Sequence, residues 1–206
     1  QQLFRSKSRT FSLASLFLPA ERAEAIFRLY YVCRTLDDWA DEGHLDKLKD
    51  AIESWRTHKP HELLDHYRFL QARWGLDSAP LTELMSAMLK EQDGVAIESM
   101  DELIEYCHGV AGTIGLMTCP IFGVTNKTAL KHADDLGIAM QLTNICRDVR
   151  EDAENDRVYL PAQYFTTKPT PSYFLNTESK KSLEEITSVK MRLLQEADRR
   201  YLNGEK

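Results

Sequence analysis

Apolar positions recur at intervals of three and four along nearly the whole chain, which is the period of an amphipathic helix. Between 20 and 42 the series is Ala23, Ile26, Phe27, Tyr30 and Tyr31, with Pro19 where a first helical turn would begin. Residues 45–58 and 62–74 predict two shorter amphipathic helices, separated by Pro60 and closed by Gly75, and 80–92 predicts another. Ser99-Met100-Asp101-Glu102 has the form of a capping box and opens a helix through Tyr106 towards Gly115. A long helix is predicted from about 128 to 152. After Val158-Tyr159-Leu160-Pro161 a polar stretch with Pro169 and Pro171 predicts a loop. Ser182-Leu183-Glu184-Glu185 then predicts the cap of a last helix, with Leu183, Ile186, Val189, Leu193, Ala197 and Tyr201 on one face. No internal repeat, low-complexity tract or linker interrupts the series. The expectation is an all-α helical bundle forming a single domain over 1–206.

Composition narrows the class of function. The chain has 206 residues, 43% apolar and 28% charged, with a formal net charge of −6. That is enough chain for one sizeable core. The acidic balance argues against a nucleic-acid binder, whose footprint would be a basic patch. Cys33, Cys107, Cys119 and Cys146 form no C-x-x-C pair and have no His at zinc spacing, so they are expected to be reduced and mostly buried. No run approaches the roughly 18 apolar residues of a membrane span. The N-terminal Gln1-Gln2-Leu3-Phe4-Arg5 turns polar at once and does not resemble a signal peptide. The expected location is cytoplasmic, with peripheral membrane association for product release.

Two predicted helices carry acidic residues four apart. Asp37 and Asp41 would share a face, as would Asp148 and Asp152. Like charges at that spacing cost a few tenths of a kcal/mol in an isolated helix. Magnesium supplies a reason for them: it takes oxygen ligands, binds through a few carboxylates, and completes its shell with water and phosphate oxygens. Gln141, Asn144, Asp148 and Asp152 fall at steps of three, four and four, a continuous polar stripe, while Ile138, Leu142, Ile145 and Val149 occupy the opposite face. Arg34 and Arg147 precede the two Asp pairs, and a planar guanidinium suits bidentate phosphate binding. A single D-x-x-x-D arises often on the surface helix of an acidic protein. Two of them, each led by Arg, point to helical Mg²⁺–diphosphate chemistry without saying which reaction.

At these residues the chain resembles the squalene/phytoene synthase family. The matching pieces are Ser8-Arg9-Thr10-Phe11 followed by Leu18-Pro19; Val32-Cys33-Arg34 through Asp41-Glu42; the run from Tyr106-Cys107-His108-Gly109 to Gly115; Gln141 through Asp152; and Arg157-Val158-Tyr159-Leu160-Pro161. They occur in family order and at about family spacing. The resemblance implies the isoprenoid-synthase helical bundle around a central cavity, with the two Asp motifs facing each other. It implies that Asp37, Asp41, Asp148 and Asp152 hold Mg²⁺, with Mn²⁺ as the alternative ion. It also implies that Arg34, Gln141, Asn144 and Arg147 contact diphosphate or support the metal shell. Ser8, Arg9 and Thr10 would form a flap over the diphosphates, Phe11 would lie near the prenyl chain, and Tyr106 would line the reaction centre. His108 departs from the family pattern. The chain also ends at Lys206, where family members continue through further helices, so the bundle is expected to lack its C-terminal part.

The chemistry so implied is head-to-head (1-1′) condensation of two prenyl diphosphates by a prenyltransferase. The expected substrate is geranylgeranyl diphosphate and the product phytoene, through a cyclopropylcarbinyl diphosphate. The alternative is farnesyl diphosphate, giving presqualene diphosphate, squalene or dehydrosqualene. Gly109, Gly112 and Gly115 each cost about 1 kcal/mol relative to Ala on a helix, and the shape of a cavity is the expected compensation. No Gly-rich dinucleotide motif is present, so NADPH is not expected, although members of the family bind it without one. An ionising terpene cyclase of the same fold would not be expected to carry the run from Tyr106 to Gly115. A non-catalytic assembly or lipid-binding relative should have eroded Asp motifs, and all four Asp are present here.

Overall fold

A computed structural model of the protein describes residues 18–92, 94–176 and 179–204. The expected flap residues Ser8, Arg9, Thr10 and Phe11 lie outside them. Among the described residues the chain is all-α, and its only β feature is one isolated parallel bridge between Ala96 and Val158. No described helix is long and apolar enough to cross a membrane. Contacts group the chain into two compact units, Gln1–Ser78 with Met117–Val124, and Ala79–Leu116 with Thr125–Lys206.

The first unit contains α1 (Ala20–Asp41), α2 (Leu45–Arg56), α3 (Glu62–Trp74) and a 3₁₀ turn, Cys119–Phe122. α1 buries Ile26, Leu29, Val32, Cys33 and Leu36, steps of three, three, one and three that place one stripe on the core. α3 meets it with Leu63, Leu64, Tyr67 and Leu70. The buried Tyr67 keeps its polar end satisfied by donating its hydroxyl to the carbonyl of Asp77 at 2.5 Å. Gly75 ends α3 in the left-handed conformation at φ +72°, the chain stop that the sequence predicts.

The second unit contains α4 (Ala79–Glu91), α5 (Met100–Cys107), most of α6 (Thr113–Thr118), α7 (Lys127–Glu154), α8 (Pro171–Leu175) and α9 (Lys180–Gly204). Ser99 caps α5 as predicted, its hydroxyl accepting from the Glu102 amide at 3.2 Å. The core gathers Leu103 and Cys107 of α5, Ile138, Leu142 and Ile145 of α7, Tyr159 and Leu160, and Val189, Leu193 and Ala197 of α9. α9 lies antiparallel to α7: Arg200 reaches Asp135 at 2.5 Å, and the Cys146 thiol donates to the Lys190 carbonyl at 3.7 Å. Cys33, Cys107 and Cys146 are buried free thiols and Cys119 is a half-buried one.

Three expectations are corrected. α9 begins one turn earlier than the Ser182 motif implies, because Ser179 supplies the cap and accepts from the Ser182 amide at 3.1 Å. Glu185 is thereby free to accept from the Tyr173 hydroxyl at 2.7 Å and so tie α9 to α8. The stretch after Pro161 is not all loop: Pro171 occupies the first turn of α8, where its missing N–H costs nothing. The run from Tyr106 to Gly115 is not a plain α-helix, since His108–Gly112 widens into a π turn. Gly112 and Gly115 answer to packing against α7, while Gly109 lines the cleft beside Tyr106. A Cβ on Gly115 would stand 2.5 Å from the Ala133 carbonyl oxygen, and one on Gly137 of α7 would stand 2.5 Å from that of Ala111. The two backbones touch, and only glycine allows it.

Candidate active site

The last turns of α1 carry the first acidic motif. Arg34 donates to Asp37 at 2.9 Å and reaches Asp38 at 2.5 Å. The Asp38 side chain is less exposed than that of Asp37, and Asp41 is exposed at the helix end. The pairing shows that Arg34 offsets like-charge crowding along α1. The sequence motif did not single out Asp38, which contributes the shorter of the two contacts.

The second motif lies on α7. Arg147 donates to both oxygens of Asp148, at 2.7 and 2.6 Å, and holds that carboxyl below its ordinary range. Burial, and then the neighbouring Asp148 charge, push Asp152 the other way, up to about 6, against the opposing pull of Arg157. Asn144 donates to the Gln141 side-chain oxygen at 3.4 Å. The four predicted members of this stripe therefore share one helix side, and Ile138, Leu142 and Ile145 are buried behind them. Following the i+4 row towards the N-terminus of α7, Met140 and Leu136 stand one and two turns before Asn144, and both are exposed, at 54% and 40%. An i+4 row winds by about 40° per step, so Leu136 lies roughly 160° around α7 from Asp152 and faces away from the acidic pair.

Tyr106 lies at the end of a short polar chain that the sequence does not announce. It stacks on Tyr159 with ring centroids 5.0 Å apart and planes at 29°. Its hydroxyl donates to Glu91 at 3.4 Å, Tyr159 donates to the same oxygen, and the Arg157 guanidinium stands 3.7 Å away. Burial raises both phenols well above their usual range. Tyr159 reaches this place because the chain after α7 pairs with the segment before α5: the Ala162 and Gln163 amides donate to the carbonyls of Ile97 and Glu98. A cleft of about 610 Å³ opens beside Tyr106, with Ala87, Val95 and Ile97 in its lining. Glu83, Glu91, Glu102 and Glu105 also line it, which makes it a poor host for a diphosphate.

His108 departs from the family pattern in sequence, and its surroundings explain its presence. Nδ1 stands 2.6 Å from Asp134 of α7 and Nε2 3.0 Å from Glu83 of α4, so the ring bridges two helices from the π turn. The hydrogen bond to Asp134 leads in raising its pKa to about 9, burial opposing and Glu83 adding. An imidazolium raised from about 6.5 in the unfolded chain stabilises the fold fully below that value and loses its effect as pH rises through about 9. The melting temperature of wild type should therefore exceed that of His108→Gln by more at pH 6 than at pH 9.5. An equal gap at both pH values would show that the bridge works without its charge.

Among the described residues, no three His, Cys, Asp or Glu side chains converge as a ready-made metal cage. Mg²⁺ does not require one, because it binds through one or two carboxylates plus substrate phosphates. Burial first, and the Asp148 charge second, raise Asp152, and a divalent cation between these oxygen donors would offset the second of these, so the donor types suit the ion.

Comparison with known proteins follows the same line. The profile of squalene/phytoene synthases matches residues 4–206. The chain is 35% identical over 175 residues to the chloroplastic phytoene synthase 3 of Zea mays, covering 78% of this chain and 41% of that protein. It is 37% identical over 169 residues to the phytoene synthase of Thermus thermophilus, covering 78% of this chain and 57% of that one. The chain thus spans about two fifths to three fifths of these curated relatives. Among solved structures, a ligand-bound dehydrosqualene synthase superimposes with TM-score 0.81 at 25% identity, covering 98% of this chain and 73% of its own. The squalene synthase HpnC of Alicyclobacillus acidocaldarius gives 0.72 at 21% identity, with 99% and 88% covered, and supports the fold alone.

Proposed function

The chain belongs to the squalene/phytoene synthase family, and from that premise we propose that it joins two prenyl diphosphates head to head. The observation that carries this reading is the polar stripe of α7, where Gln141, Asn144, Asp148 and Asp152 share one side of the helix and Arg147 grips Asp148. Asp148 and Asp152 would hold Mg²⁺ there, and Asp37 and Asp41 on α1 would supply a further carboxylate pair for the ion. The bound ion neutralises the leaving diphosphate so that the allylic C1–O bond can ionise.

The chain's own residues do the rest. Arg147 on α7 and Arg34 on α1, each already turned onto a carboxylate of its own helix, would offer cationic donors to diphosphate. Asn144 and Gln141 continue the polar stripe. Tyr106 faces the reacting carbons, and its buried, neutral ring offers a π-face to positive charge. Attack by the second substrate's double bond, with loss of a proton, then gives the cyclopropylcarbinyl diphosphate; departure of its diphosphate, rearrangement of the cation and loss of a second proton give the 1-1′ product without hydride transfer.

Geranylgeranyl diphosphate is the favoured substrate and phytoene the product. The likeness to the phytoene synthases of maize and Thermus thermophilus supports this. The second reading, C15 farnesyl diphosphate, draws on the superposition with a dehydrosqualene synthase. Offering both diphosphates in competition, with Mg²⁺ and without NADPH, decides between them: mass spectrometry should find C40 hydrocarbon in excess. C30 hydrocarbon alone would transfer the assignment to farnesyl diphosphate.

A further inference from the structure

Glu91 belongs to none of the sequence motifs. It ends α4, where the pattern makes it one more polar residue of an amphipathic helix. Its carboxylate is nevertheless only 12% exposed. An enclosed carboxylate needs donors, and its Oε1 is met by two phenols and by the Arg157 guanidinium at 3.7 Å. The donors come from separate places: Tyr106 from α5, Tyr159 and Arg157 from the segment after α7. Nothing local to α4 requires this convergence.

The hydrogen-bond arithmetic gives the arrangement a meaning. A phenol has one proton to donate, and its oxygen otherwise only accepts. With the Tyr159 proton directed at Glu91 and the Tyr106 proton shared between Glu91 and the Tyr159 oxygen, the Tyr106 oxygen has only lone pairs left to present elsewhere. A phenolate there would be alkylated by an allylic cation, and a phenol with its proton turned outward would oppose positive charge. The stacked Tyr159 ring fixes the plane of Tyr106 while Glu91 fixes its hydroxyl.

We propose that Glu91 is the positioning residue of the reaction centre, orienting the Tyr106 and Tyr159 hydroxyls so that Tyr106 meets the carbocation with a neutral ring and an unprotonated oxygen face. The role rests on the prenyl-condensing reading above and on Tyr106 lining that centre. Glu91 acts through the tyrosines and does not touch substrate.

Glu91→Gln keeps the shape but replaces the carboxylate by an amide with its own donors, freeing the Tyr106 proton to turn outward. In steady-state assays of the full chain with geranylgeranyl diphosphate and Mg²⁺, kcat should fall about 100-fold with KM within about threefold. The cyclopropylcarbinyl diphosphate should form a larger share of the quenched products, because the second ionisation places charge beside Tyr106. Glu91→Asp, which retains the charge, should recover part of kcat, and Tyr159→Phe, which removes one donor, should lose about tenfold. Melting temperatures separate positioning from folding. If Glu91→Gln does not fold, Glu91→Asp and Tyr159→Phe decide: reduced kcat at wild-type melting temperature supports the role, and wild-type kcat overturns it. Glu91→Gln with kcat and product partition like wild type would also overturn it, leaving the assigned reaction intact. A wild-type chain that releases no diphosphate would remove that reaction and this role together.

Discussion

Asp148→Asn should fold like wild type and lose turnover about 1,000-fold, which corresponds to roughly 4 kcal/mol of transition-state stabilisation at 1.36 kcal/mol per factor of ten. The substitution removes half of the carboxylate pair on α7 while keeping its volume and one acceptor oxygen. Folding should tolerate it, because the Asp148 side chain is partly exposed and its observed partner is Arg147, itself 68% exposed. An ion pair of that kind contributes little to stability. Arg147→Ala is the matching control: it removes the same contact and should cost turnover far less than Asp148→Asn. Calorimetric titration of Mg²⁺ in the presence of an unreactive prenyl diphosphate analogue gives a readout apart from turnover, and Asp148→Asn should weaken uptake. Full turnover in Asp148→Asn, or in wild type with excess EDTA, would remove the metal from the mechanism.

How much of this was legible in the sequence depends on the range over which each feature is encoded. The helices follow from apolar period, and the Ser99 cap from a four-residue motif, because hydrogen bonds within a turn satisfy both. Even so, Glu102 does not close the box on Ser99; its carboxylate accepts from the Glu98 amide at 2.7 Å, one residue earlier. Ser179 and Ser182 both offer a cap within four residues, and local pattern favours Ser182 through Glu185. The choice falls to Ser179 because Glu185 is engaged with Thr166 and Tyr173, a tertiary demand that no window around α9 contains.

The candidate site divides in the same way. The Asp and Arg positions on α1 and α7 are legible because four-residue spacing on a helix is a local quantity. Glu91 is not, since its role appears only when a bridge joins 96–98 to 158–163 and delivers Tyr159 to it. Its one available signal was a Glu in an apolar helix followed by a break before the next cap. The glycines of 109–115 were noticed for their cost and assigned to a cavity. For Gly112 and Gly115 the reason is close approach to Ala133, Asp134 and Gly137 of α7, and for Gly109 it is Ala87 of α4, both contacts with helices remote in sequence.

The largest effect on stability should come from Asp135, which sits inside the contact between α7 and α9. Its side chain is 8% exposed and that of Arg200 13%, and they meet at 2.5 Å. Asn203 adds a hydrogen bond to the second Asp135 oxygen at 3.3 Å, and Glu196 holds the far side of Arg200 at 2.7 Å. Removing one partner of a buried pair costs about 3–5 kcal/mol, because the other charge remains desolvated. Glu196 still serves Arg200 here, which places Asp135→Leu near 3 kcal/mol and its loss of melting temperature at about 6–12 °C for a chain of this size. Replacing the pair together should behave differently. Asp135→Leu with Arg200→Met removes the stranded charge and joins the core of Ile138, Leu193 and Ala197. It should therefore recover most of the loss, since apolar replacements of buried pairs are often neutral or stabilising. A double variant that melts as low as Asp135→Leu alone would mean that the pair holds α9 in place by geometry, and that the cost of a stranded charge is not what Asp135 prevents.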